Sequence, residues 1–151
     1  MFFSYLLLLH ILSAIIFVGN ILTAAFWKFR AERTKERIYI HRTVKDIQSA
    51  DYFFTIPSVI FLVLSGMLLS SHFGFSFSEL NWLSISFLLF IITVIIYFSG
   101  MIPLQLRMIR YSENEHTFQK YLETSKMWNL IGTIEILIPL MILYLMVVKP
   151  F

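Results

Sequence analysis

Apolar residues run along this chain in four long stretches, and the polar residues between them are distributed very unevenly. A bilayer core about 30 Å thick is crossed by roughly 20 apolar residues in helical form. The first stretch, from about Phe2 to Trp27, carries no charge. The second runs from about Tyr52 to Ser71, the third from about Asn81 to Leu106, and the fourth from about Met127 to Val148, with one acid, Glu135, inside it. The pattern predicts an all-α, polytopic membrane protein: a single four-transmembrane-helix bundle over residues 1–151. The first stretch lacks a basic start, is too long for a signal core and ends in Trp27 and Lys28 rather than small residues, so it reads as a retained helix.

The connections set the direction. Lys28, Arg30, Arg33, Lys35, Arg37, Arg42 and Lys45 lie in the first, and Arg107, Arg110, Lys120 and Lys126 in the third. The second connection, about His72 to Leu80, has no Lys or Arg, and the C-terminus has only Lys149. Basic loops stay in the cytoplasm, so both termini are expected to be extracytoplasmic, in a bacterial cell membrane. Trp27 and Trp128 would mark the inner interface and Trp82 the outer. Residues 29–50 contain good helix formers and no Gly or Pro, so the first helix is expected to project into the cytoplasm before the chain turns back. Within it Glu32 can reach Lys28 or Lys35, and Asp46 can reach Arg42, at one-turn spacing. The aromatic segment His72 to Ser78 is expected to lie in the outer headgroup layer, and His41 and His116 to be solvated.

Polar side chains inside a span turn toward other helices or a cavity, because lipid penalises them. At 100° per residue, His10, Ser13, Phe17, Asn20 and Ala24 fall on one face of the first helix. Asp51, Thr55, Ser58, Leu62, Ser65, Leu69 and His72 form a similar stripe on the second. Trp128, Gly132, Glu135, Pro139, Ile142 and Met146 share a face of the fourth. The third offers Ser86, Thr93, Gly100, Pro103 and Gln105 less tidily. For Ser13, Ser58, Ser65, Gly66 and Gly132 the reading is close helix packing. Asn20, Asp51, Gln105 and Glu135 are the candidate intramembrane polar site. Pro139 leaves the Glu135 carbonyl without its helical donor, and Pro57 loosens the second helix near Asp51. Kinks and polar side chains together can line a small hydrated pocket.

His10 is open to several readings. It can be an axial haem ligand, with His72 as second ligand and haem b as the cofactor, although His72 would sit roughly 7–8 Å further out. It can belong to a copper site, since imidazole and thioether both suit copper, but Met67 points away from the polar stripe. Proton or ion movement can instead run through Glu135, Asn20 and Asp51. The plainest account of His10 is a buried imidazole bonded to a neighbouring hydroxyl or carboxyl.

Composition narrows the field. The chain has 151 residues, 58% of them hydrophobic and 14% charged, against about 25% charged in a soluble domain. The net charge of +3 flanks apolar spans, which points to anionic lipid headgroups as partner and away from nucleic acid. A second copy or another membrane protein is left open as a protein partner. With no cysteine, disulfides, zinc–thiolate and iron–sulfur sites, thiol catalysis and covalent haem are excluded. No phosphate loop, Ser-His-Asp set or HExxH helix occurs, so no motif names an enzymatic reaction.

Leu9, His10 and Ile11, then Val18, Gly19 and Asn20, then Ala25 to Lys28, resemble the start of a bacterial family known as domain of unknown function number twenty-two sixty-nine. So do Asp51 with Thr55 to Pro57, Ser65 and Gly66, Pro103 to Gln105, Trp128 to Gly132, Pro139, and Met146 to Pro150. The resemblance implies an integral membrane architecture and supplies no activity. More distantly the chain is similar to the superfamily of copper-resistance D proteins and HemJ-type protoporphyrinogen oxidases. That kinship implies haem at His10, while the lysine those oxidases carry in a later helix has no counterpart in the third span. The leading expectation is a small membrane protein with a polar site around His10, haem-binding and redox-linked. The alternatives are a scaffold or accessory subunit, and a small ion, proton or copper transporter.

Overall fold

In this computed structural model residues 1–74 and 78–150 are described. Four helices long and apolar enough to cross a membrane make up the chain: α1 (Phe2–Thr34), α2 (Arg37–His72), α3 (Trp82–Glu113) and α4 (Glu115–Val148). Each holds 32 to 36 residues, or roughly 50 Å at 1.5 Å per residue. That exceeds the hydrocarbon thickness, so every helix runs on beyond the apolar layer. The basic connections are these extensions. Lys35, in the left-handed region at φ 58°, stops α1, and Glu36 is extended before α2 begins. At the same end Asn114 breaks α3 from α4, whose first turn, Glu115–Thr117, is a 3-10 turn. The first helix therefore continues past its apolar stretch to Thr34, and α2, α3 and α4 are extended at the same end. The aromatic connection read as lying among headgroups includes residues 75–77, outside the described residues. After it, Asn81 opens α3 with a capping box to Ser84.

Two of the helices widen at matching places. Asp51–Thr55 in α2 and Tyr97–Met101 in α3 are single π-helical turns, followed by Pro57 and Pro103 respectively. A proline has no N–H for the carbonyl four residues back and crowds it, here Phe53 and Ser99. Widening the turn absorbs the misfit. It also turns Asp51, Thr55, Tyr97 and Met101 into the bundle, where all four are buried.

The helices pack in a ring, α1 on α2, α3 on α4, α4 back on α1, with α2 meeting α3 through its N-terminal half. The aliphatic and aromatic core is concentrated at the basic end, in Ala31, Ile40, Val44, Met108, Tyr121 and Trp128. Towards the other end small hydroxyl residues replace it. Ser13, Ser58, Ser70, Ser86 and Thr93 are buried and donate to carbonyls of their own helices, which is how close-packed membrane helices satisfy such groups. Gly66 makes room for a ring: a Cβ there would stand 3.2 Å from His10 Cε1. Gly66→Val is therefore expected to push His10 off α2 and cost about 1–3 kcal/mol. Thermal unfolding in detergent checks this.

Candidate intramembrane site

Asp51 is the meeting point of three helices. Asn20 Nδ2 on α1 donates to Asp51 Oδ1 at 2.8 Å and to Thr55 Oγ1 at 2.8 Å. Thr55 Oγ1 donates to Asp51 Oδ1 at 2.9 Å. From α3, Gln105 Nε2 donates to Asp51 Oδ2 at 2.8 Å. Asn20 lies seven residues before the end of the first apolar stretch at Trp27, roughly 10 Å along the helix. Asp51 and Gln105, near the ends of their own apolar stretches, are thus brought level with the apolar part of α1.

Glu135 brings in the fourth helix. It is 1% exposed and, with Asp51, Tyr97, Gln105, Trp128, Gly132 and the exposed Thr133, lines a partly open cavity of about 200 Å³. Among the described residues, the buried side-chain polar atoms with no hydrogen-bond partner are Tyr97 Oη, Trp128 Nε1 and both carboxylate oxygens of Glu135. All three residues line this one cavity. Tyr97 Oη also faces Asp51, closely enough for its hydroxyl to be drawn to that carboxylate as well as to the cavity. Two donors and an acid therefore converge on a space large enough for several waters, at about 30 Å³ each. Water fits all of them, accepting from Trp128 and Tyr97 and donating to Glu135.

A second polar cluster lies one layer nearer the basic end. Lys28 is 1% exposed. Its Nζ donates to Glu32 Oε1 at 2.7 Å, Ser125 Oγ at 2.7 Å and Asn129 Oδ1 at 2.9 Å, and it lies 4.9 Å from the Trp128 ring centre. Glu32 Oε1 also accepts from Tyr121 Oη at 2.7 Å and from Ser125 Oγ. Lys28–Glu32 is the one ion pair among the described residues, so the Arg42–Asp46 pair does not form. Trp128 is buried in the bundle beneath Lys28. His41, expected in solvent, pairs its Nδ1 with Ser112 Oγ at 2.9 Å. Lys28 was legible as a site residue, since it continues the α1 stripe one turn past Ala24, but its charge made it read as a boundary.

The two histidines of the haem reading have separate surroundings. His10 Nδ1 pairs with Ser65 Oγ at 2.8 Å, and Ser65 Oγ also bonds to the Phe61 carbonyl. His72 is exposed and stacks on Phe3. Neither shares a hydrogen bond with the Asp51 cluster or lines the Glu135 cavity. Among the described residues no three His, Asp or Glu side chains are grouped to hold a metal ion.

Residues 4–150 match the family described as predicted integral membrane protein, DUF2269. The chain belongs to this family. No curated protein and no solved structure matches it, so the wider likeness to copper-resistance D and HemJ-type proteins gains no support. For this member of the family, four long apolar helices and the family description agree on an integral membrane protein.

Proposed function

We propose that this family member exchanges protons through the cavity between Asp51 and Glu135, in the cytoplasmic membrane of a bacterium. The observation that carries the reading is that the Glu135 carboxyl and Trp128 Nε1, both without a hydrogen-bond partner, border one space that Tyr97 also lines. An ionised carboxylate in hydrocarbon needs a countercharge. Lys28, which also packs against Trp128, is already committed to Glu32. Glu135 thus has no resident cation, and the group that completes it is a proton or a hydrated cation arriving in the cavity. Asp51 differs in that amide and hydroxyl donors satisfy it from three helices. The uneven loop charges favour an orientation with both helix turns of the basic end in the cytoplasm and both termini outside.

The Asp51 cluster taken alone favours a second reading, a scaffold whose polar groups hold helices together. Glu135 separates the two, because it binds no other side chain and so contributes nothing to such glue. Haem ligation draws no comparable support, since His72, the second ligand of that reading, is exposed and stacked on Phe3. The deciding experiment is reconstitution in liposomes with an enclosed pH dye and an imposed potential, negative inside. Proton uptake is expected to exceed that of empty liposomes and to fall to their rate in Glu135→Gln. Equal uptake by the variant and the parent chain contradicts the proposal.

A further inference from the structure

Two openings in the bundle meet at one residue. Asn129 lines the Glu135 cavity, and it also lines a groove of about 290 Å³ at the basic end, with Glu32, Gln119, Glu123, Ser125 and Lys126. Lys28, nearly devoid of solvent contact, bonds Glu32 and Ser125 of the groove and Asn129 of both spaces, and packs on Trp128 of the cavity. A buried ammonium in this position is an electrostatic barrier to any cation moving from groove to cavity. The barrier is removable, because the lysine sits on a flexible stem.

We infer that the Glu135 cavity is entered from the basic end of the bundle, past a closure formed by Lys28 on Glu32, Ser125 and Asn129. The inference rests on the proposed function only in taking the cavity to be wet. Trp128 couples the two layers, because its ring faces the Lys28 ammonium while its Nε1 belongs to the cavity wall. Tyr121 and Ser125 also bond to Glu32, so the carboxylate keeps its place when the lysine leaves.

The chain has no cysteine, so single thiols report access directly. Gly132→Cys puts one in the cavity wall, where an added Cβ meets nothing nearer than Met101 Cε at 3.6 Å. Lys120→Cys marks the basic end and Leu80→Cys the opposite end, both exposed positions. The probe is a membrane-impermeant methanethiosulfonate carrying a quaternary ammonium, applied to one side of sealed, oriented vesicles at a time. Gly132→Cys is expected to react slowly and only from the side on which Lys120→Cys reacts. Adding Lys28→Ala, which removes all three bonds of the closure, is expected to raise that rate at least about tenfold, the ratio for the loss of even one charge-assisted hydrogen bond. Glu32→Gln, which keeps the lysine and weakens its anchor, should accelerate it in the same direction and covers the case that Lys28→Ala does not fold.

Labelling from the Leu80→Cys side overturns the inference, as does an unchanged rate in every variant whose Lys120→Cys control reacts normally. The absence of labelling from both sides overturns it too. Flux that fails in liposomes while the labelling pattern holds removes the proton reading and leaves the route standing.

Discussion

Asp51→Ala is expected to unfold at a markedly lower temperature than the parent chain, while Asp51→Asn keeps most of its stability. The alanine variant strips the acceptor from Asn20, Thr55 and Gln105 at once. Asn20 and Thr55 retain each other, and a threonine hydroxyl can bond back to its own helix. Gln105, 2% exposed, is left with a buried amide and no acceptor. A buried donor stranded in this way costs about 1–3 kcal/mol, and interhelical bonds in membranes lie toward the low end of that range. The total loss is therefore about 2–4 kcal/mol. Asparagine keeps one acceptor oxygen for Asn20 and Thr55, and Gln105 restores the other bond by turning its amide over. Thermal unfolding in mild detergent measures both. Equal loss in the two variants would show that charge, rather than acceptor geometry, holds the cluster.

Glu135→Leu is expected to move stability and activity in opposite directions. The carboxyl has no partner, so replacing it with a hydrocarbon of similar size removes an unpaid desolvation cost on the order of 1–3 kcal/mol. Leucine also fills part of the cavity and excludes the water that joins Tyr97, Trp128 and the acid. The variant should melt at a higher temperature and show no proton uptake above empty liposomes. Function held at a cost in stability is the ordinary signature of an active group in a buried position. A packing residue behaves otherwise: with Glu135 in that role, the leucine variant would be less stable and no other property would change.

Much of the fold was legible because hydropathy and charge are one-dimensional signals. Trp27 next to Lys28, and Ser71 before a connection without Lys or Arg, mark where apolar stretches stop. The stripes were legible too, because Ser13, Phe17 and Ala24 on α1 and Thr55, Ser58 and Ser65 on α2 are buried at helical spacing. The convergence of Asn20, Asp51 and Gln105 was only half visible. Their inward direction follows from periodicity, but their common level depends on how antiparallel helices slide past one another, and no single helix encodes that. The π turns at Asp51–Thr55 and Tyr97–Met101 add a local rotation that the prolines signal without fixing its form. Lys28 was misread because a lysine at a span boundary ordinarily snorkels outward. Here Glu32 on its own helix and Ser125 and Asn129 on α4 supply an inward set of acceptors. Those α4 residues lie about a hundred positions along the chain, beyond the reach of any local pattern.

The state of the Glu135 cavity tests the account most directly. An experimental structure in lipid, at a resolution that shows ordered solvent, is predicted to contain water hydrogen-bonded to Trp128 Nε1, Tyr97 Oη and the Glu135 carboxyl together. A dry cavity, or one closed by a Glu135 side chain bonded to another residue of the bundle, contradicts it.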